Sequence, residues 1–240
     1  MIKKAINQND SFILELLNSI GCNNIFSNKP INRFKVSTNN LKKESEKGKD
    51  KILTKLREEI SSIKDCKLKE NASKIVFGDG NIESPIMIVG EGPGQKEDEL
   101  GKPFVGDAGA LLNKMLKAIN IERKKIYITN VVNYRPPNNR KPDQSEITKY
   151  SFFLREHISI IDPKILILMG STAMESLFGT KIKITKERGI WKELIVNNKT
   201  YLTMTTFHPA YLLRQPDQKK YSWADLKEIR RKIDELNLKI

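Results

Sequence analysis

The stretch Val89–Gly109, VGEGPGQKEDELGKPFVGDAG, decides how this chain is read. It follows the apolar run Ile86–Val89 and leads into Leu111, Leu112, Met115, Leu116 and Ile119, which recur at helical spacing. A strand, a Gly-rich loop and a helix in that order put a ligand at the carboxyl end of a strand in an open α/β sheet. Glycines let the backbone approach a ligand closely. Glu91, Glu97 and Asp98 offer acid–base groups, and Phe104 offers a face for a flat ligand. Two phosphate-binding loops are excluded. Gln95 stands where a dinucleotide fingerprint needs its last glycine, and no G-K-[ST] follows.

The same alternation continues outward. Apolar runs at 126–132, 165–169 and about 201–206 are separated by helical patterns near 143–160, 171–178 and 222–237. Asp107 is placed to cap the helix over 108–119. Near-continuous apolar strands between helices predict an α/β, three-layer αβα fold around a central, mostly parallel sheet of about four strands. In such a sheet the strand ends share one side. The loops Gly90–Phe104, Thr129–Arg140 and His208–Arg214 therefore converge on one pocket. Asn130 can present its amide to a base edge or cap a turn. The stiff, basic loop after it, with Arg135 and Arg140, suits a phosphate backbone. His157 falls inside an amphipathic pattern and reads as structural.

The 240 residues suffice for one full domain with a small appendage. Residues 1–63 read as an N-terminal helical and polar extension, with a short amphipathic helix over 11–20, a mobile linker around 27–50 and a helix over roughly 50–63. Residues 64–240 read as the main domain. Lys and Arg outnumber Asp and Glu 43 to 29, a net charge of +14 that points to a polyanion partner, nucleic acid first. The two cysteines, Cys22 and Cys66, form no C-x-x-C, which suits a reducing compartment. The basic start lacks an apolar core for a signal peptide, and no apolar run reaches the ~20 residues of a membrane span. The expectation is a cytoplasmic monomer with no membrane partner.

Taken together, GEGPGQKED, GKPFVGDAG, YITNVVNYRPPNNRKP and FHPAYLLR resemble the bacterial and archaeal family 4 uracil-DNA glycosylases, as do ITKERGIW (184–191) and WADLKEI (223–229). The resemblance runs in order over about residues 64–235. It implies excision of uracil from single- or double-stranded DNA, with the nucleotide flipped out of the stack. By the same resemblance, Asn130 reads the uracil edge, Phe104 stacks on the base and His208 stabilises charge on uracil O2. Gly92 and Gly94 line the pocket. Gly92 stands where other uracil-DNA glycosylases carry a water-activating Asp, so Glu91 and Glu97 are the candidate carboxylates, and Glu97 alternatively ties down the loop. Tyr211, Leu212 or Leu213 fills the gap left by the flipped base, while Arg214, Arg135 and Arg140 contact phosphate.

The chain departs from the family at its 4Fe–4S cluster. The four ligand positions fall on Cys66, Lys69, Tyr134 and Tyr150, and one cysteine cannot supply four thiolates. The expectation is a protein without cluster or other cofactor, with both tyrosines packed into the vacated volume and Lys69 reaching solvent. The loop PPNNRKP also lacks the His of relatives that attach covalently to uracil-DNA. Two other readings stand beside a glycosylase: a non-catalytic DNA-binding or uracil-sensing module on the same fold, and a hydrolase of small nucleotides.

Overall fold

The protein is described from a computed structural model, which covers residues 38–64, 66–179 and 183–240. The predicted helix over 11–20 and the start of the predicted linker lie outside these residues. The chain divides into two compact units, Met1–Leu41 and Lys42–Ile240, and apart from residues 38–41 everything described below belongs to the second.

Helix α1, Thr38–Ser62, is followed by the one-turn helix α2, Lys67–Glu70, and strands β1, Asp79–Gly80, and β2, Ile86–Gly90. Helices α3, Gln95–Leu100, and α4, Asp107–Ala118, lead to β3, Tyr127–Asn130, and α5, Gln144–Ile161. Then come β4, Ile165–Met169, α6, Ser171–Phe178, α7, Ile184–Glu187, and the strands β5, Trp191–Val196, and β6, Lys199–Thr206. Helices α8, Pro209–Arg214, and α9, Lys219–Glu235, close the chain.

The sheet has six strands in the order β1-β3-β2-β4-β6-β5. Its centre is the expected parallel set β3, β2, β4 and β6. Two antiparallel edge strands add to it. Two-residue β1 pairs with β3, and β5 joins β6 through Asn197-Asn198, both at positive φ. Asparagine tolerates that conformation, and a two-residue hairpin turn requires it.

The central strands are buried on both faces, which is why they read as unbroken apolar runs. Met87, Val89, Leu166 and Leu168 face one layer, packed with Ile147, Tyr150, Leu154 and Ile158 of α5. Ile86, Ile88, Ile165 and Ile167 face the other, against Leu112 and Leu116 of α4 and Ile229 and Ile233 of α9. Helix α5 starts on a capping box: Asp143 accepts from the Glu146 amide, and the Glu146 carboxylate accepts from the Asp143 amide.

Three expectations are corrected. Residues 38–50 of the predicted linker are helical, the start of α1. Leu53, Leu56 and Ile60 of that helix lie in the first core layer, so the main unit begins near Lys42 rather than at 64. Asp107 does not cap α4. Gly106 takes that place with no side-chain bond, and Asp107 pairs with Lys96 at 3.2 Å.

Candidate uracil pocket

Four strand ends meet around a cavity of about 570 Å³. Strand β2 delivers Glu91, Gly92 and Gly94, α3 delivers Glu97, and the loop beyond α3 delivers Phe104. Strand β3 delivers Asn130, β4 delivers Gly170 and Ser171, and β6 delivers Phe207 and His208. Parallel pairing sets this geometry: Gly90 lies beside Asn130, and Met169 beside Thr206, each at the end of its ladder.

Gly90 leaves no room for a side chain. A Cβ there would lie 2.4 Å from Asn130 Oδ1 and 2.5 Å from the Phe104 ring, so a larger residue would dislodge both. Asn130 is 3% exposed and presents its amide to the cavity, and among the described residues that amide has no hydrogen-bond partner.

Phe104 sits at φ 52°, a left-handed conformation that a bulky residue adopts only under constraint. The constraint is Arg123, whose guanidinium donates to the Pro103 carbonyl at 2.6 Å and the Phe104 carbonyl at 2.8 Å, and contacts Asp79 at 3.4 Å. On the other side, Glu97 Oε1 accepts from the amides of Val105 at 2.9 Å and Gly106 at 2.8 Å. The Phe104 ring faces the His208 imidazole at 5.4 Å between centroids.

His208 caps α8, with Nδ1 accepting from the Ala210 amide at 3.1 Å. With Nδ1 occupied as an acceptor, the proton of the neutral ring belongs on Nε2. Burial, reinforced by the charge of Arg214, pushes the His208 pKa down to about 4. The ring is therefore neutral at physiological pH. Glu91 Oε2 accepts from the Thr172 hydroxyl at 2.5 Å, which fixes one carboxylate oxygen at the cavity wall.

Of the phosphate candidates, Arg214 and Arg140 line the cavity and are exposed. Arg140 is held by both oxygens of Glu146, at 2.6 and 2.8 Å. Arg135 is half-buried beside it, with Nε donating to Asn139 at 2.7 Å. Tyr211 lines the cavity against Phe207, and Leu213 is 45% exposed. Leu212 is excluded as the wedge: it is 1% exposed and belongs to the second core layer, because one helical turn points 212 inward between its neighbours. His157 is structural, stacked on Phe77 at 4.4 Å and hydrogen-bonded to the Tyr127 hydroxyl at 2.9 Å. Sequence reasoning missed Arg123 and Thr172. Thr172 directly follows the third parallel strand's Gly170-Ser171, and that strand end was the signal available.

The positions where a 4Fe–4S cluster is implied lie elsewhere, in the first core layer. Tyr134 and Tyr150 are 5% and 1% exposed, and Cys66 Sγ lies 3.3 Å from the Tyr150 hydroxyl. Lys69 is exposed and donates to the Ser61 carbonyl. This donor set, one cysteine beside two tyrosines and a lysine, does not fit a cluster that needs four thiolates. Burial and the neighbouring thiol push the Tyr150 phenol far above its ordinary pKa.

This fold and pocket define the class. A family model described as the uracil DNA glycosylase superfamily matches residues 77–228. The chain is 42% identical over 186 residues to a type-4 uracil-DNA glycosylase of Sulfurisphaera tokodaii, covering 74% of this chain and 83% of that protein. It is 40% identical over 167 residues to one of Thermotoga maritima, covering 69% and 85%. A third, from Archaeoglobus fulgidus, is 35% identical over 175 residues, covering 71% and 88%. The chain belongs to the uracil DNA glycosylase superfamily and, within it, to the type-4 family. Among the described residues no helix is long and apolar enough to cross a membrane.

Proposed function

We propose that this protein hydrolyses the N-glycosidic bond of uracil in DNA and does so without an iron–sulfur cluster. The observation that carries the reading is the convergence of Asn130, Phe104 and His208, from separate segments, on one cavity.

A flipped uracil stacks on Phe104 and pairs with Asn130, whose amide donates to O4 and accepts from N3–H. Cytosine reverses both partners, and each failed buried hydrogen bond costs ~1–3 kcal/mol. As the glycosidic bond breaks, the sugar becomes oxocarbenium-like and the electron pair moves onto the base. His208 Nε2–H donates to uracil O2, where that charge collects. A neutral donor suits the role, since it stabilises the anion without first giving up a proton.

We assign water positioning to Glu91. Glu97 is engaged through Oε1, which accepts from both Val105 and Gly106 and shapes the loop that carries Phe104, whereas Glu91 is steadied at the cavity wall by the Thr172 hydroxyl. Arg140 and Arg214 at the rim, with Arg135 beside them, supply phosphate contacts, and Tyr211 or Leu213 occupies the gap in the strand. The packing of Tyr134 and Tyr150 supports a cluster-free protein.

The test is incubation with a single-stranded oligonucleotide carrying one uracil, followed by alkali. Cleavage at the uracil is expected. Cleavage no greater than that of an Asn130→Ala control would defeat the proposal. Hydrolysis of free deoxyuridine without cleavage of DNA would indicate a nucleotide hydrolase.

A further inference from the structure

Two segments that resemble the family, 184–191 and 223–229, contribute little to the cavity wall, yet they meet in a buried node behind His208. The reason begins with the sheet. On one side β6 pairs with β4 as far as Met169 and Thr206. On the other, β5 stops at Trp191 opposite Met204. The last two residues of β6, directly before Phe207-His208, thus lack a strand partner on that side. Residues 188–189 supply one: Arg188 bridges Thr205 in parallel, and the Gly189 amide donates to the Thr205 carbonyl at 2.9 Å.

Asp225 of α9 fastens this patch. Its Oδ2 accepts from Arg188 Nε at 3.0 Å and from the Thr206 hydroxyl at 2.6 Å, and its Oδ1 accepts from Arg188 Nη2. Asp225 is 1% exposed and Thr206 is fully buried. Arg188 Nη2 also donates to the Tyr221 carbonyl at 2.5 Å, and its guanidinium lies 5.6 Å from the centre of the Phe207 ring. Gly189 has φ +73°, and a Cβ there would lie 2.4 Å from Asp225 Oδ1, so this node requires the Arg-Gly pair as it stands. The residue before Phe207 is therefore held by its hydroxyl, and Phe207 itself by a cation over its ring.

We propose that Asp225 and Arg188 are positioning residues for the His208 step: through Thr206 and Phe207 they fix the end of β6, and hence the place of the imidazole relative to Asn130 and the flipped base. The proposal rests on the glycosylase reading for its kinetic consequence but not for its structural one. Small displacements of a reacting group are expensive, up to about 100-fold for ~1 Å. A node that serves only stability would lower the amount of folded protein and leave the geometry at His208 unchanged in what remains.

The experiment uses the full chain and the variants Asp225→Asn and Thr206→Val, the second keeping the Arg188–Asp225 pair and the buried volume. The first readout is the single-turnover rate of uracil release at saturating enzyme. A fall of about 10- to 100-fold is expected for Asp225→Asn and a smaller fall for Thr206→Val. In a His208→Ala background neither substitution should slow the reaction further. An equal fold-loss in both backgrounds would overturn the proposal.

The second readout is the proton spectrum of the imidazole Cε1–H groups, which is simple because the chain has two histidines. The His208 signal should move or broaden in both variants while the His157 signal stays in place. An unchanged His208 signal would also overturn the proposal. Absence of uracil release from the unmodified protein would count against the glycosylase reading alone, and the spectrum would still decide the node.

Discussion

The uracil pocket and the Cys66–Tyr150 region differ in what their sequences preserve. In the pocket each role depends on particular atoms: an amide that both donates and accepts, a ring face, an Nε2–H. On the proposed reading Asn130, Phe104 and His208, which line one cavity, fill these three roles. Where the family resemblance implies cluster ligands, Cys66 stands with Lys69, Tyr134 and Tyr150. There the buried side chains form ordinary core, with Tyr134 and Tyr150 packed in one layer with Leu53, Leu56 and Ile147. The difference is one of demands: recognition needs specific donors and acceptors, whereas the Cys66–Tyr150 region needs only buried volume of suitable shape.

If the tyrosines carry the fold where thiolates would otherwise do so, Tyr150→Ala should have the largest effect on stability, about 3–5 kcal/mol by urea denaturation, as for other buried aromatics. Its KM for uracil-DNA should stay unchanged. A loss below ~1 kcal/mol would show that this region bears little of the fold. On the pocket side, His208→Ala should lower kcat by about 10²–10³, the usual scale for one lost donor to a developing anion, and cost about 1 kcal/mol of stability through the lost cap of α8. The unmodified rate should stay level from neutral pH downward and fall as pH drops through about 4. There the imidazole gains a proton on Nδ1 and loses its bond from the Ala210 amide. A single-turnover pH profile that falls at pH 6 to 7 instead would mean that a different group controls the reaction.

The histidine of the core sharpens the contrast further. Burial lowers the His157 pKa from 6.5 to about 3. Between those values the unfolded chain binds a proton that the folded chain does not, so stability rises with pH. The contribution is complete above pH 6.5 and is lost as pH falls from 6.5 toward 3, by at most ~1.4 kcal/mol per unit. Urea midpoints at pH 7 and pH 5 check this, and equal midpoints would contradict it. The smallest effect belongs to the rim. Arg214→Ala should weaken binding to any DNA sequence and reduce the salt slope of log Kd by about 1, measured by titration at several salt concentrations.

Much of this was legible in the chain itself. Ile86–Val89 and Ile165–Met169 read as buried parallel strands because both their faces are covered, and the ends of such strands mark the site. What escaped notice has physical reasons. Strand β5 lies at an edge with alternating burial and carries Lys192 and Glu193. Strand β1 has only two residues. Residues 38–50 are helical despite a Lys-rich sequence without an apolar stripe. Leu212 stands with Tyr211 and Leu213 in sequence, but a single helical turn separates their directions and buries it. Arg123 and Thr172 act by hydrogen bonds to residues far along the chain, to Phe104 and Glu91, and no local pattern announces such pairings.

The central claim is that the uracil chemistry of this fold persists without four cysteines. The measurement that tests it most directly is uracil release from a single-stranded oligonucleotide, made on the same preparation in which iron and sulfide are assayed. The account predicts alkali-labile cleavage at uracil, abolished by Asn130→Ala, in a colourless protein lacking stoichiometric iron. Broad absorption near 400 nm with bound iron, or no cleavage above the Asn130→Ala control, would contradict it.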